Sequence, residues 1–284
     1  MTHHQDALVV LAAGHESDGG RDFAPLFAAD RPAADRPAAK RPAAPTAGAA
    51  VHAVAPAGRP LAEAVRSALA AADGRPVCVV PMTLGRDRRL VADTARTLRW
   101  LATGEGRGRL ALTAPFGAAE HLTGWLRAAA GAAPDVPDGA VLVTAPAADP
   151  FEDAELFRIA RLARQFGRHR WVEVALDGGD PGPAEGAARC RLLGARTVTA
   201  VPASFGPALR TPVPGVRDGG PLLRPSAVAG VVAARTAAAL HLLGHGEDGI
   251  AAGLDAEHGH GHAHSHPHGP THVHAHPHQH AHAH

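Results

Sequence analysis

Tyrosine and asparagine are absent from the 284 residues, lysine occurs once (Lys40), and aromatic side chains make up only 4% of the chain. The two cysteines, Cys78 and Cys190, form no C-x-x-C pair, so neither a zinc ribbon nor an iron–sulfur cluster is expected. Neither H-E-x-x-H nor G-x-S-x-G occurs, which removes a zincin helix and a nucleophile elbow. The 28 basic and 27 acidic residues leave a net charge of +1, without the clustered basic excess that general nucleic-acid binding requires. The first apolar run, Ala7 to Ala13, is too short for a signal segment or a membrane span and follows no charged stretch. A soluble, cytoplasmic protein with no membrane partner is expected. Alanine, arginine, glycine and proline fill the space these absences leave. That bias has the look of GC-rich coding, so a single alanine or arginine says little by itself.

What is present is periodic. Short apolar runs alternate with amphipathic stretches, the pattern of parallel α/β sheets. In the first half, strands are expected at Leu8–Ala13, Val51–Val54, Val77–Val80 and Arg109–Thr113, and helices over Leu61–Ala71, Leu90–Ala102 and His121–Ala130. After the breaker run Pro134–Gly139 the pattern restarts. Strands are expected at Val141–Thr144, Trp171–Ala175 and Thr197–Val201, and helices over Glu152–Gln165, Glu185–Leu193 and Ala227–Leu243. Each half has a strand ending in Val-Pro, Val80-Pro81 and Val201-Pro202, which predicts a duplicated unit of roughly 130 residues and a cleft between two similar lobes. The fold class is therefore α/β, with parallel sheets flanked by helices in a first lobe over 1–133 and a second over 140–250. No fourth strand stands out after Pro202, where proline and glycine crowd the chain as far as Pro225. Inside the first lobe, an Ala/Pro-rich insertion over 30–48 carries RPAAD, RPAAK and RPAAP in tandem. Proline every fifth residue breaks a helix, so the insertion is expected to be extended and solvated. Trp100, Trp125 and Trp171 fall on helix or strand patterns and are expected in the core.

The segment 251–284 has a different character. Its last 27 residues hold 13 of the 21 histidines, at His258, His260, His262, His264, His266, His268, His272, His274, His276, His278, His280, His282 and His284. Alternation with Gly, Ala, Pro and Ser offers no apolar face to bury, so a disordered tail is expected. With a free pKa of about 6.5, most imidazoles are neutral donors at pH 7 and suit borderline divalent metals. The tail therefore reads as a multivalent ligand for cobalt, nickel or zinc.

The first strand runs into Leu11-Ala-Ala-Gly-His15-Glu-Ser-Asp18-Gly-Gly20. Gly14 permits a tight turn that puts His15 at the carboxyl end of a parallel strand, where open α/β sheets bind ligands. Glu16, Ser17 and Asp18 beside it are candidate hydrogen-bonding partners. Further on come Val80-Pro81-Met-Thr-Leu84, the basic turn Arg86-Asp-Arg88-Arg89, Leu90-Val-Ala-Asp93 and Leu112-Thr-Ala-Pro115-Phe-Gly117. Together these segments resemble the CbiX-type sirohydrochlorin chelatases, relatives of ferrochelatase that insert cobalt, iron or nickel into a tetrapyrrole. The resemblance is good in the first half and weak in the second. It implies that His15 is a metal-binding catalytic residue and that the substrates are a tetrapyrrole and a divalent ion, cobalt above all, with nickel, iron or zinc as others. Glu16 or Asp18 would relay protons, and Arg86, Arg88, Arg89 and Ser17 would contact the polyanionic substrate.

Three departures qualify that picture. Glu16 replaces the family's glycine after the histidine, and Arg89 stands where a second ligand histidine is expected. Arginine stays protonated and cannot ligate a metal. The corresponding turn of the second half, Thr144-Ala-Pro-Ala147, offers no replacement, and His121, at the start of a helix, is the nearest substitute. The rival reading is a non-enzymatic protein that stores or delivers cobalt or nickel. The oligomeric state is left open.

Overall fold

The computed structural model describes residues 7–23, 51–133 and 138–257. The expected insertion over 30–48 and the histidine tract from His258 onward lie outside the described residues. Four strands form each of two parallel sheets, β1 (Leu8–Ala13), β2 (Val51–Pro56), β3 (Val77–Met82) and β4 (Leu110–Leu112) in one, and β5 (Gly139–Pro146), β6 (Trp171–Asp177), β7 (Thr197–Pro202) and β8 (Val216–Asp218) in the other. The orders β2-β1-β3-β4 and β6-β5-β7-β8 are the same sequence of positions. The registers agree as well, with Leu11 opposite Val80 in the first sheet and Val143 opposite Val201 in the second.

The central strands are apolar along nearly their whole length because helices cover both their faces. The helices are α1 (Arg59–Ala71), α2 (Arg88–Thr103), α3 (Ala119–Ala132), α4 (Pro150–Gln165), α5 (Pro183–Leu192), α6 (Pro225–Gly244) and α7 (Ile250–Leu254). The largest apolar cluster lies between the sheets. Leu11 and Val80 from one sheet, and Val141 and Val143 from the other, meet Leu122 and Leu126 of α3, Leu156 and Ile159 of α4, and Val228 and Val232 of α6. Fully burying one such side chain contributes about 1.5–3 kcal/mol, so this shared core fixes how the two sheets face each other. Outside it, α1 and α2 cover the first sheet through Leu61, Val65 and Leu98, and α5 covers the second through Ala187 and Cys190.

Three expectations need correction. A fourth strand of the second sheet exists, as β8, but it is three residues long and Val216 is its one apolar residue, too little for a periodic signal. Residues 251–257, assigned to the tail on composition, are helical, because Ile250 is buried among Val79, Leu98 and Leu112 and anchors them to the first sheet's outer core. Trp100 is 82% exposed: the buried stripe of α2 runs through Leu90, Thr94, Leu98 and Leu101, and Trp100 points off it. Helix α6 is long and apolar enough to cross a membrane by length and composition, with a mean hydropathy of 1.5. In this fold it lies against β3 and β4 of the first sheet, through Ala239 and its neighbours.

Candidate metal centre

The carboxyl ends of β1, β3 and β5 converge between the lobes, and each delivers one donor. His15 opens the 3-10 turn after β1. Asp87, after β3, is the N-cap of α2: its Oδ1 accepts from the Leu90 amide at 2.8 Å. Its other oxygen, Oδ2, lies 3.1 Å from His15 Nδ1. Gly14 makes this approach possible, since a Cβ there would stand 2.4 Å from Asp87 Oδ2. The third donor comes from the second lobe. Asp149 caps α4, accepting from the amides of Phe151 at 2.9 Å and Glu152 at 3.0 Å, with Pro150 at the first helical position. The cap fixes the first turn so that Glu152 Oε2 lies 3.6 Å from His15 Nε2. One donor atom from each of His15, Asp87 and Glu152 lies within 4.8 Å of the others, and this is the cluster of three such groups found among the described residues. It opens into a cleft of about 270 Å³ lined also by Arg89, Asp93 and Asp149.

The electrostatics suit an ion. Burial alone would lower the His15 pKa, but its hydrogen bond to Asp87 and the negative charges of Glu16 and Asp87 outweigh burial and the opposing Arg86, so it is raised above 6.5. Burial pushes Glu152 up to about 7, with Asp87 and Asp149 adding to the rise and His15 and Arg86 opposing it. Asp149 is held below the usual carboxylate range, first by the hydrogen bond from the Glu152 amide. The carboxylates of Asp87 and Asp149 thus crowd a third that ionises reluctantly, and a divalent cation would relieve the crowding. In the neutral imidazole Asp87 accepts from His15 Nδ1–H, which leaves the lone pair of Nε2, the atom a metal would use, facing Glu152 and the Arg86 guanidinium.

The residues singled out from the sequence end up in different places. His15 lines the cleft. Glu16 does not: it is fully buried behind His15, where Oε2 accepts from the Thr83 hydroxyl at 2.5 Å and the Leu84 amide at 2.9 Å. It therefore holds the β3–α2 loop in place and is not positioned to relay protons. Ser17 is buried too, donating to the Gly14 carbonyl at 3.1 Å, so it fastens its own turn and has no path to a substrate. Asp18 pairs with Arg21 and Arg210, away from the cluster. His121 takes no part in the centre: its Nδ1 accepts from the Ala118 amide at 3.1 Å, capping its own helix, and its ring stacks near Trp125. The arginines separate as well. Arg89 is 67% exposed on the cleft rim, 3.8 Å from Asp149 Oδ2. Arg88 lines a second, largely apolar cavity of about 450 Å³ between α2, α3 and α7, which shares Asp87 with the cleft. Arg86 is wholly buried beside His15 and cannot reach a substrate carboxylate in solvent. The tail histidines lie outside the described residues.

Asp87 and Glu152 were not foreseen from the sequence. Both sit at helix starts, where an acidic residue reads as a cap or first-turn charge, and no linear spacing reveals that loops 65 residues apart will meet. The second lobe lacks a histidine at its equivalent turn, yet it supplies Glu152 from the following helix.

No family model matches the chain, and no curated protein matches it. Two solved structures resemble it. One is a multi-domain protein of Deinococcus radiodurans, described as structurally similar to chelatases with two additional novel domains. It is 20% identical, with a TM-score of 0.44 over 81% of this chain and 54% of that one, so the chain spans about half its length. The other is the sirohydrochlorin chelatase SirB of Bacillus subtilis subspecies spizizenii in complex with cobalt. It is 14% identical, with a TM-score of 0.45 over 81% of this chain and 92% of that one.

Proposed function

We propose that the protein is a cytoplasmic tetrapyrrole metallochelatase that inserts a divalent ion, cobalt foremost, into sirohydrochlorin or a related precursor. The observation that carries the reading is the His15–Asp87–Glu152 cluster at three strand ends, open to a cleft between the lobes. Metal insertion requires an ion held loosely and two pyrrole N–H protons accepted as the ion leaves. His15 Nε2 and Glu152 meet both needs. While the ion is bound they are donors; once it passes to the macrocycle, each can take one proton, and a Glu152 pKa of about 7 makes that carboxylate a fitting base at neutral pH. Asp87 keeps the imidazole in the tautomer that presents Nε2. Arg89, on the rim, can pair with a substrate carboxylate.

One observation favours the rival, a cobalt or nickel storage or delivery protein. The cleft of about 270 Å³ suits an ion with its waters. Sites that enclose drug-sized molecules span about 300–1,000 Å³, so a macrocycle would have to lie across the mouth. The deciding experiment is a spectrophotometric assay of the purified full chain with sirohydrochlorin and cobalt against the non-enzymatic rate. The chelatase reading expects acceleration that His15→Ala abolishes with the circular dichroism spectrum unchanged. Tight cobalt binding with no acceleration would establish the rival instead.

A further inference from the structure

Arg86 is an odd neighbour for a cation site. Its side chain is 0% exposed, and its Nη2 lies 3.4 Å from His15 Nε2, the atom whose lone pair a metal would use. Because Asp87 takes the proton on Nδ1, Nε2 is the acceptor and the guanidinium is the donor. The same Nη2 lies 3.4 Å from the Pro146 carbonyl. On its other edges the guanidinium is poorly served. Nε stands 3.6 Å from Glu16 Oε1 and Nη1 stands 3.8 Å from Asp153 Oδ1. Arg86 Nε, Arg86 Nη1 and Glu16 Oε1 are all buried without a hydrogen-bond partner. Leaving such groups unpaired costs about 1–3 kcal/mol each, more for charged ones. A withdrawal of a few tenths of an ångström toward Glu16 and Asp153 would pair all three.

We propose that Arg86 is a built-in competitor for the metal: its guanidinium occupies the His15 Nε2 lone pair until a divalent ion displaces it toward Glu16 and Asp153, so that the centre stays weak enough to give up its ion. The proposal rests on the reading of His15, Asp87 and Glu152 as the metal centre. Its logic is electrostatic. A positive charge beside the site offsets part of the attraction of the carboxylates, and the ion must break the Arg86–Nε2 contact to bind. Glu16 and Asp153 receive the guanidinium when it yields, which keeps the exchange reversible. When the ion moves on, Arg86 returns to Nε2. A site for transfer needs this reversibility, whereas a structural metal site closes around its ion with no competing cation.

The test uses the full chain and cobalt competed against a chromophoric chelator. Subtracting the His15→Ala isotherm from that of the unaltered protein isolates the centre from the histidine tract. The variant Glu16→Gln/Arg86→Gln removes the buried charges together, so no lone charge is stranded, and circular dichroism reports its folding. The competitor role expects cobalt at the centre to bind severalfold tighter in the double variant, with slower release, because the two opposite charges leave together and the guanidinium no longer contests Nε2. Arg86 acting merely as a structural strut would give unchanged or weaker binding, which overturns the proposal. If the double variant fails to fold, Arg86→Lys keeps the charge but loses the fork, and severalfold slower cobalt release is expected; equal or faster release overturns the idea. Should His15→Ala leave the isotherm unaltered, the centre itself is misassigned, an outcome distinct from failure of the Arg86 role.

Discussion

At the scale of single residues, the informative group is Glu152, a carboxyl that burial and two nearby carboxylates push to about 7. A raised folded pKa means the folded state favours the protonated acid. Its contribution to stability is complete below the ordinary value of 4.5 and is lost as pH rises through about 7. Without metal, Glu152→Gln is therefore expected to match the unaltered protein near pH 4.5 and exceed it at pH 8. The gain is about 1–2 kcal/mol after allowing for the solvent that the open cleft admits. Cobalt should reverse the order, stabilising the unaltered protein and hardly affecting the variant. Calorimetric melting at both pH values, with and without cobalt, checks this; a variant that melts lower at pH 8 without metal would show that the carboxyl is not crowded. This residue was hidden in the sequence, as was Asp87. His15 was legible because a glycine-histidine turn after an apolar strand is a local signal. Glu16 misled for the same reason, since adjacency along the chain said nothing about which side chain faces inward.

At the scale of elements, the centre depends on two helix starts, α2 capped by Asp87 and α4 capped by Asp149. The strands and helices were legible almost throughout. A central parallel strand is apolar on both faces, and Pro or Asp opens several of the helices. What escaped was set by packing. Strand β8 has too few apolar residues to announce itself, and α6 and α7 return to the first sheet although they follow the second. Capping gives a prediction that separates position from charge. Asp149→Asn keeps an amide-accepting oxygen, whereas Asp149→Ala does not. The alanine variant is expected to lose about 1 kcal/mol of stability and to weaken cobalt binding at the centre severalfold, because Glu152 sits in the turn that unravels. The asparagine variant should keep most of the stability and show only the smaller effect of the lost charge. Denaturant melts paired with chelator competition distinguish them; equal cobalt affinity in all three proteins would mean that the α4 cap does not position Glu152.

At the scale of the whole molecule, two sheets of identical order share one core but assemble one candidate centre among the described residues, and the last of these, Asp255–Glu257, pack on α2, the helix that Asp87 caps. Helix α2 has 16 residues and is about 24 Å long. The 27 residues that follow Glu257 reach at most about 90–95 Å, which more than covers that distance. Their 13 imidazoles, taken two to four per ion, could hold roughly three to six cobalt ions. Protons compete for the two kinds of site at different pH. A free imidazole, with a pKa of about 6.5, gives up metal as pH falls below about 6, and the tract histidines are expected to do the same. The centre should empty at higher pH, because His15 is raised above 6.5 and Glu152 to about 7, and both must give up their protons to bind. A cobalt titration followed from pH 8 to pH 5 is therefore expected to show two losses, first at the centre and then in the tract. His15→Ala should remove only the first, and deletion of 258–284 only the second, with melting temperature unchanged. Under the chelatase reading, the shortened protein keeps its rate at saturating cobalt and slows when cobalt is scarce, since tethered donors raise the local metal concentration. A single pH step shared by both variants would show that the centre and the tract bind cobalt as one site.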